Sequence, residues 1–141
     1  MNVYMEMLRK FGRSAITGRA CFSVATIYLH KSENDSALTY FQKFIDKYQG
    51  PLLMPAAVAG LAMCWENKKE YAKAAEQYQK VAHKYAKSYL APEYLMSAAR
   101  CYQQIGKTVE ADNCYQTIVK NYKKTDYLRD AETADKMVLK K

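Results

Sequence analysis

The residues of this 141-residue chain best suited to chemistry are few and far apart. There are two histidines, His30 and His83, and neither has a cysteine or carboxylate at the short spacing from which zinc sites are built. Cys21, Cys64, Cys101 and Cys114 include no CxxC pair, so they read as buried thiols used as small apolar side chains, not as a disulfide framework. Gly106-Lys107-Thr108 ends like a phosphate-binding loop. The full motif needs a glycine five residues before Gly106, and Cys101 stands there. Gly106 is better explained as a tight turn that uses a positive φ. No Ser-His-Asp set can be assembled around a nucleophile elbow. Glu66, Glu70 and Glu76 read as helix-surface charges; Glu66 and Glu70 are a like-charge pair at i,i+4 that neighbouring lysines offset. Asn34-Asp35-Ser36 fits a glycosylation acceptor, a triplet too short to carry weight alone. The expectation is therefore of a chain that is not an enzyme and that takes no metal or cofactor.

Composition fits that expectation. Half the residues are hydrophobic and 26% are charged, which excludes disordered and fibrous classes. Glycine and proline number 5 and 3, too few for a strand-and-turn architecture, while tyrosine reaches 13. The net charge of +8 could attract nucleic acid, an anionic surface or an acidic protein face. It is dispersed, with no basic run longer than pairs such as Lys123-Lys124 and Lys140-Lys141, which argues for a solvated surface over a nucleic-acid stripe. No apolar stretch is long enough to span a membrane, and Met1–Gly12 lacks the apolar run of a signal peptide.

The elements that must carry these residues follow from an internal repeat of 37 residues. Tyr28, Trp65 and Tyr102 keep that step, as do Ala25, Ala62 and Ala99, then Ala37, Ala74 and Ala111. Phe41, Tyr78 and Tyr115 form another column, and Tyr48, Tyr85 and Tyr122 the next. Pro55 and Pro92 are one period apart, as are Cys64 and Cys101. Each period reads as two helices. The first helices are expected over roughly 19–31, 55–67 and 92–105, and the second over roughly 35–47, 70–84 and 109–121. Proline suits the first turn of a helix, and Ser32-Glu33-Asn34, Asn67-Lys68-Lys69 and Gly106-Lys107-Thr108 fall at the turns between paired helices. The small alanine column allows close helix approach, and the aromatic column fills the space between pairs, so the aromatic ladder reads as core.

Val24-Ala25-x2-Tyr28, Leu61-Ala62-x2-Trp65 and Ala98-Ala99-x2-Tyr102 resemble the tetratricopeptide repeat (TPR) consensus, as do the alanine, aromatic and closing proline that follow. The resemblance implies an all-α fold, a right-handed α-solenoid of antiparallel helix pairs. Residues 1–12 would be the second helix of a partial repeat, 18–54, 55–91 and 92–128 full repeats, and 129–141 a capping helix whose Glu132, Asp135 and Lys136 replace apolar packing residues. The period exceeds the usual TPR length, with longer linkers over 47–54 and 84–91. That longer-period type is similar to bacterial TPR proteins of Tol-Pal and outer-membrane assembly. The resemblance leaves two compartments open, the bacterial envelope and the cytoplasm, towards which the reduced-looking cysteines point.

In TPR arrays the first helices line a groove that holds a partner. Carried over by column, the groove would be lined by Phe22, Thr26, Leu29 and His30, then Ala59, Met63, Glu66 and Asn67, then Met96, Arg100, Gln103 and Gln104. Apolar patches with polar ends suit an extended or helical segment of another protein, and methionines give an adaptable contact. The clamp by which some TPR domains capture acidic tails is missing, since its columns hold Phe22, Thr26, Ala59 and Met63. The expected function is a protein-binding module or scaffold subunit of a larger complex. Its rivals are a structural subunit that self-associates through an open N-terminal end and a binder of nucleic acid or anionic surfaces.

Overall fold

The computed structural model describes residues 3, 6, 15–48, 52–123 and 127–139. Seven helices follow in order: α1 (Ala15–His30), α2 (Asn34–Lys47), α3 (Met54–Asn67), α4 (Tyr71–Lys84), α5 (Ala91–Gln104), α6 (Thr108–Asn121) and α7 (Tyr127–Leu139). No strand occurs among the described residues. The chain is thus all-α and of α-solenoid type, as the periodicity predicts. α1 begins at Ala15, ahead of the expected Arg19, because Ala20, Cys21 and Val24 extend a buried stripe that Thr17 continues. Residues 3 and 6 are helical, and the rest of the partial-repeat helix expected over 1–12 lies outside the described residues.

Helix ends are set by the same local rules in each repeat. Pro55 and Pro92 occupy the first turns of α3 and α5, where a missing N–H costs nothing. The helices before the short turns close in one way. Glu33 N–H donates to Tyr28 O, Glu70 N–H to Trp65 O and Lys107 N–H to Tyr102 O, each at 2.9 Å. Ser32, Lys69 and Gly106 donate the companion bonds to Leu29, Glu66 and Gln103. This double closure is a Schellman motif, and it needs a left-handed residue at the first of its two donors. Ser32 (φ 61°), Lys69 (φ 63°) and Gly106 (φ 73°) supply it.

The chain divides into two compact units, Met1–Glu70 and Tyr71–Lys141. In the first, α1 packs on α2, α2 on α3, and α1 touches α3. Its core gathers Cys21, Val24 and Ala25 of α1, Ala37, Phe41 and Phe44 of α2, and Ala57, Leu61 and Cys64 of α3. Phe22 meets Phe41 and Phe44 edge to face, with ring centroids 5.8 Å away in both cases, and Tyr28 stacks on Tyr40 at 5.7 Å. Gly60 makes the α2–α3 contact possible: a Cβ there would lie 2.5–2.8 Å from the Phe41 ring.

In the second unit α4 packs on α5, α5 on α6 and α6 on α7, and α5 touches α7. Its core holds Ala74, Tyr78 and Val81 of α4, Leu95, Ala98, Ala99 and Cys101 of α5, Ala111, Tyr115 and Ile118 of α6, and Ala131 of α7. Gln79 ties three helices. Tyr102 Oη donates to its Oε1 at 2.5 Å, and its Nε2 donates to Cys114 Sγ at 3.5 Å. On α7, Glu132 and Lys136 are exposed.

Gly60→Ala is expected to destabilise the protein by about 1–3 kcal/mol, because neither the buried ring nor the helix backbone has room to move. Urea unfolding measures this. Adding Phe41→Leu should restore part of the loss, and an unchanged Gly60→Ala midpoint would contradict the packing described.

Candidate partner-binding site

Side chains reach a repeat surface when they project from the first helix of a pair away from its second helix. In the first unit α1 and α3 are such helices and lie side by side. His30 and Asn67 at their C-terminal ends are exposed, as is Met63, at 45%. Thr26 and Glu66 are half-buried, and the Thr26 hydroxyl donates to the Phe22 carbonyl within its own helix. Phe22 and Leu29 are half-buried too, and both lean on the core cluster. Ala59 sinks below the surface at 8% exposure because the small side chain sits flush between its neighbours. The first-unit face therefore has half-buried Leu29 and flush Ala59 with Met63 rising beside them and polar groups at one end, while Phe22 turns towards Phe41 and Phe44 of α2.

In the second unit Met96 is half-buried on α5, and Arg100, Gln103 and Gln104 are exposed. The Arg100 charge acts on Tyr115: burial raises that phenol, the neighbouring Cys114 raises it further, and Arg100 opposes the rise. α7 lies beside α5 and adds exposed Thr133, one period after Met96. The sequence reading also omitted a column. Arg19, Ala56, Glu93 and Asp130 are exposed on α1, α3, α5 and α7, three residues before Phe22, Ala59, Met96 and Thr133. The i,i+3 neighbourhood of a helix face is the signal that finds them.

The other motifs find structural explanations. The Lys107 N–H is spent on Tyr102 O and the Gly106 N–H on Gln103 O, so the Gly106-Lys107-Thr108 turn does not present these donors to a phosphate. An open depression is lined by Ser32, Glu33, Asn34, Asp35, Ser36 and Lys68. Its groups answer one another: Lys68 pairs with Asp35, and the Asn67 side-chain amide donates to Asn34 Oδ1 at 3.1 Å. Lys68 also lies over the Trp65 ring, 5.7 Å from its centroid. Among the described residues no three His, Cys, Asp or Glu side chains come together as a metal site, and no helix is long and apolar enough to cross a membrane.

The four cysteines are buried and none is in a disulfide. Cys21 Sγ–H donates to Tyr40 O at 3.3 Å. Burial pushes the Cys64 and Cys114 thiols from 9.0 up to about 11, and it raises Cys21 against the opposing charge of Lys43. A thiol is a nucleophile only as thiolate, so Cys21, Cys64 and Cys114 are not poised to attack.

Exposed faces on successive helices characterise a helical repeat protein. Residues 60–88 and 93–125 match the tetratricopeptide repeat family model. That fold is a protein-interaction fold, not a catalytic one. A chain in the crystal structure of a T3SS complex from Aeromonas hydrophila is similar in fold, with a TM-score of 0.70 and 18% identity. The similarity covers 98% of this chain and 93% of that one. No curated protein matches the sequence.

The raised thiols make a pH prediction. A group whose folded pKa is raised confers stability that is full below its unfolded pKa and is lost as pH climbs to the folded value. The urea midpoint should therefore fall between 9.0 and about 11. Replacing Cys64 and Cys114 by alanine should flatten that fall, leaving what the buried tyrosines contribute. A profile identical to that of the unsubstituted chain would show that the thiols are not held neutral by burial.

Proposed function

We propose that the chain is a scaffold or assembly subunit that holds a segment of a partner protein against its first-helix faces. The observation that carries this reading is the face of α1 and α3, where half-buried Leu29, flush Ala59 and exposed Met63 are bordered by His30 and Asn67. An apolar stripe with polar ends fits a helical or extended peptide, and methionine adapts to varied side chains. Met96, Arg100, Gln103 and Gln104 would serve in the same way on α5, and Arg19, Ala56 and Glu93 would join the lining. The occurrence of a similar fold in a T3SS complex supports a role within an assembly. The longer linkers, similar to those of envelope-assembly TPR proteins, support the same class of task. Each repeat proposed here spans one 37-residue period, over 18–54, 55–91 and 92–128.

Native-mass analysis of the protein isolated from its own source is expected to show a stoichiometric complex with another chain. Met63→Lys should leave the helical circular dichroism unchanged and cut partner recovery about tenfold, as for a central contact in an interface. Undiminished recovery would remove the α1–α3 face from the reading. A ladder of self-multiples would replace the partner with further copies of the chain.

A further inference from the structure

The second unit carries a one-signed end that the first-helix faces do not account for. Helices α4 to α7 run alternately, so the C-terminal ends of α4 and α6 meet the N-terminal ends of α5 and α7. A hydrogen bond fixes this meeting: Tyr122, just past α6, donates its hydroxyl to the carbonyl of Ala86, just past α4, at 2.7 Å. The two stretches so joined, 77–92 and 113–125, contain no aspartate or glutamate. They present Lys84, Lys87, Lys120 and Lys123, all exposed. Lys84 and Lys120 sit at helix C-termini, where the helix dipole favours a cation. Lys87 and Lys123 lie beyond the helices, and the dipole gives no reason for them. Among the described residues the countercharges at this end are Glu93 and Asp130 in the first turns of α5 and α7, with Arg129 beside the latter, and Asp126 follows the second stretch in the sequence.

The loop between α4 and α5 is pre-formed. Ser88 N–H donates to Tyr85 O, Ala91 N–H to Ser88 O, and Leu90 N–H to the Ser88 hydroxyl. This frame holds Tyr89 out into solvent at 84% exposure, beside Lys87. An ordered loop bearing an exposed aromatic ring among lysines loses little entropy on docking.

We propose that this end of the second unit is a docking surface for an acidic segment of a partner polypeptide, with carboxylates meeting the lysines and an apolar residue meeting Tyr89. The chemistry favours carboxylates over nucleic acid. Binding single-stranded bases would need a series of open rings. Here the Tyr122 hydroxyl is tied to Ala86, Tyr85 is half-buried with Lys84 5.7 Å over its ring, and Tyr89 is the ring left presented among them.

The test is fluorescence anisotropy of a labelled peptide of alternating glutamate and leucine, titrated with the intact chain at low and physiological salt. Lys87→Glu with Lys123→Glu should weaken binding about tenfold, and salt should weaken binding to the unsubstituted chain, as for charge-steered association. Lys73→Glu with Lys107→Glu, at the other end of the same unit, should change it by less than about twofold. Circular dichroism checks the fold of both, and the milder Lys87→Gln with Lys123→Gln should show the same direction. Equal weakening by both charge-reversal pairs would overturn the proposal in favour of diffuse net charge. Tighter binding of single-stranded RNA or of phosphatidylserine vesicles than of the peptide at the same salt would overturn it in favour of a phosphate surface. The readout needs no cellular partner, so its failure is separate from failure of the α1–α3 face.

Discussion

Helix backbones can approach closely only where one of them lacks side-chain bulk, and that constraint organises the molecule. Ala37, Ala74 and Ala111 are fully buried one period apart, and Gly60 lies under the Phe41 ring. Aromatic bulk stands opposite smallness: Phe41, Tyr78 and Tyr115 are buried in the column that follows the alanines. The pairing of large with small is what fills a helix interface to interior density. A two-helix pair cannot bury both its stripes, so each added helix covers what the previous one leaves open.

The interior built this way is chemically silent. Its polar contacts are short chains, such as Tyr102 to Gln79 to Cys114, and its thiols are held neutral by burial. The faces of α1, α3 and α5 carry half-buried apolar side chains with exposed polar groups at their C-terminal ends, and the C-terminal ends of α4 and α6 carry exposed lysines.

Much of this was legible in the sequence because the columns keep residue type as well as position. Tyr28, Trp65 and Tyr102 announce the period, Pro55 and Pro92 announce helix starts, and Gly106 announces a left-handed turn. Ser32 and Lys69 do not, since a left-handed serine or lysine is uncommon by propensity and is held here by two backbone hydrogen bonds. The exposure of His30, Met63, Asn67, Arg100, Gln103 and Gln104 follows their helical spacing. That Ala59 sinks and Phe22 leans inward depends on neighbours from other helices, which no single position reveals. The link from Tyr122 to Ala86 joins residues a whole repeat apart and has no local signal at all.

One consequence concerns how quickly such a chain can find its structure. Within each unit the main packed pairs are helices adjacent in sequence, joined by turns that close their own hydrogen bonds. Contacts between near neighbours along the chain close small loops, and the entropy lost before the first favourable contact forms is correspondingly small. Relative contact order is then low, and chains of this kind fold on the microsecond-to-millisecond side of the range, through nuclei that any adjacent helix pair can provide. The left-handed residues at Ser32 and Gly106 act as the hinges of those nuclei, setting α2 against α1 and α6 against α5 before the long-range core exists.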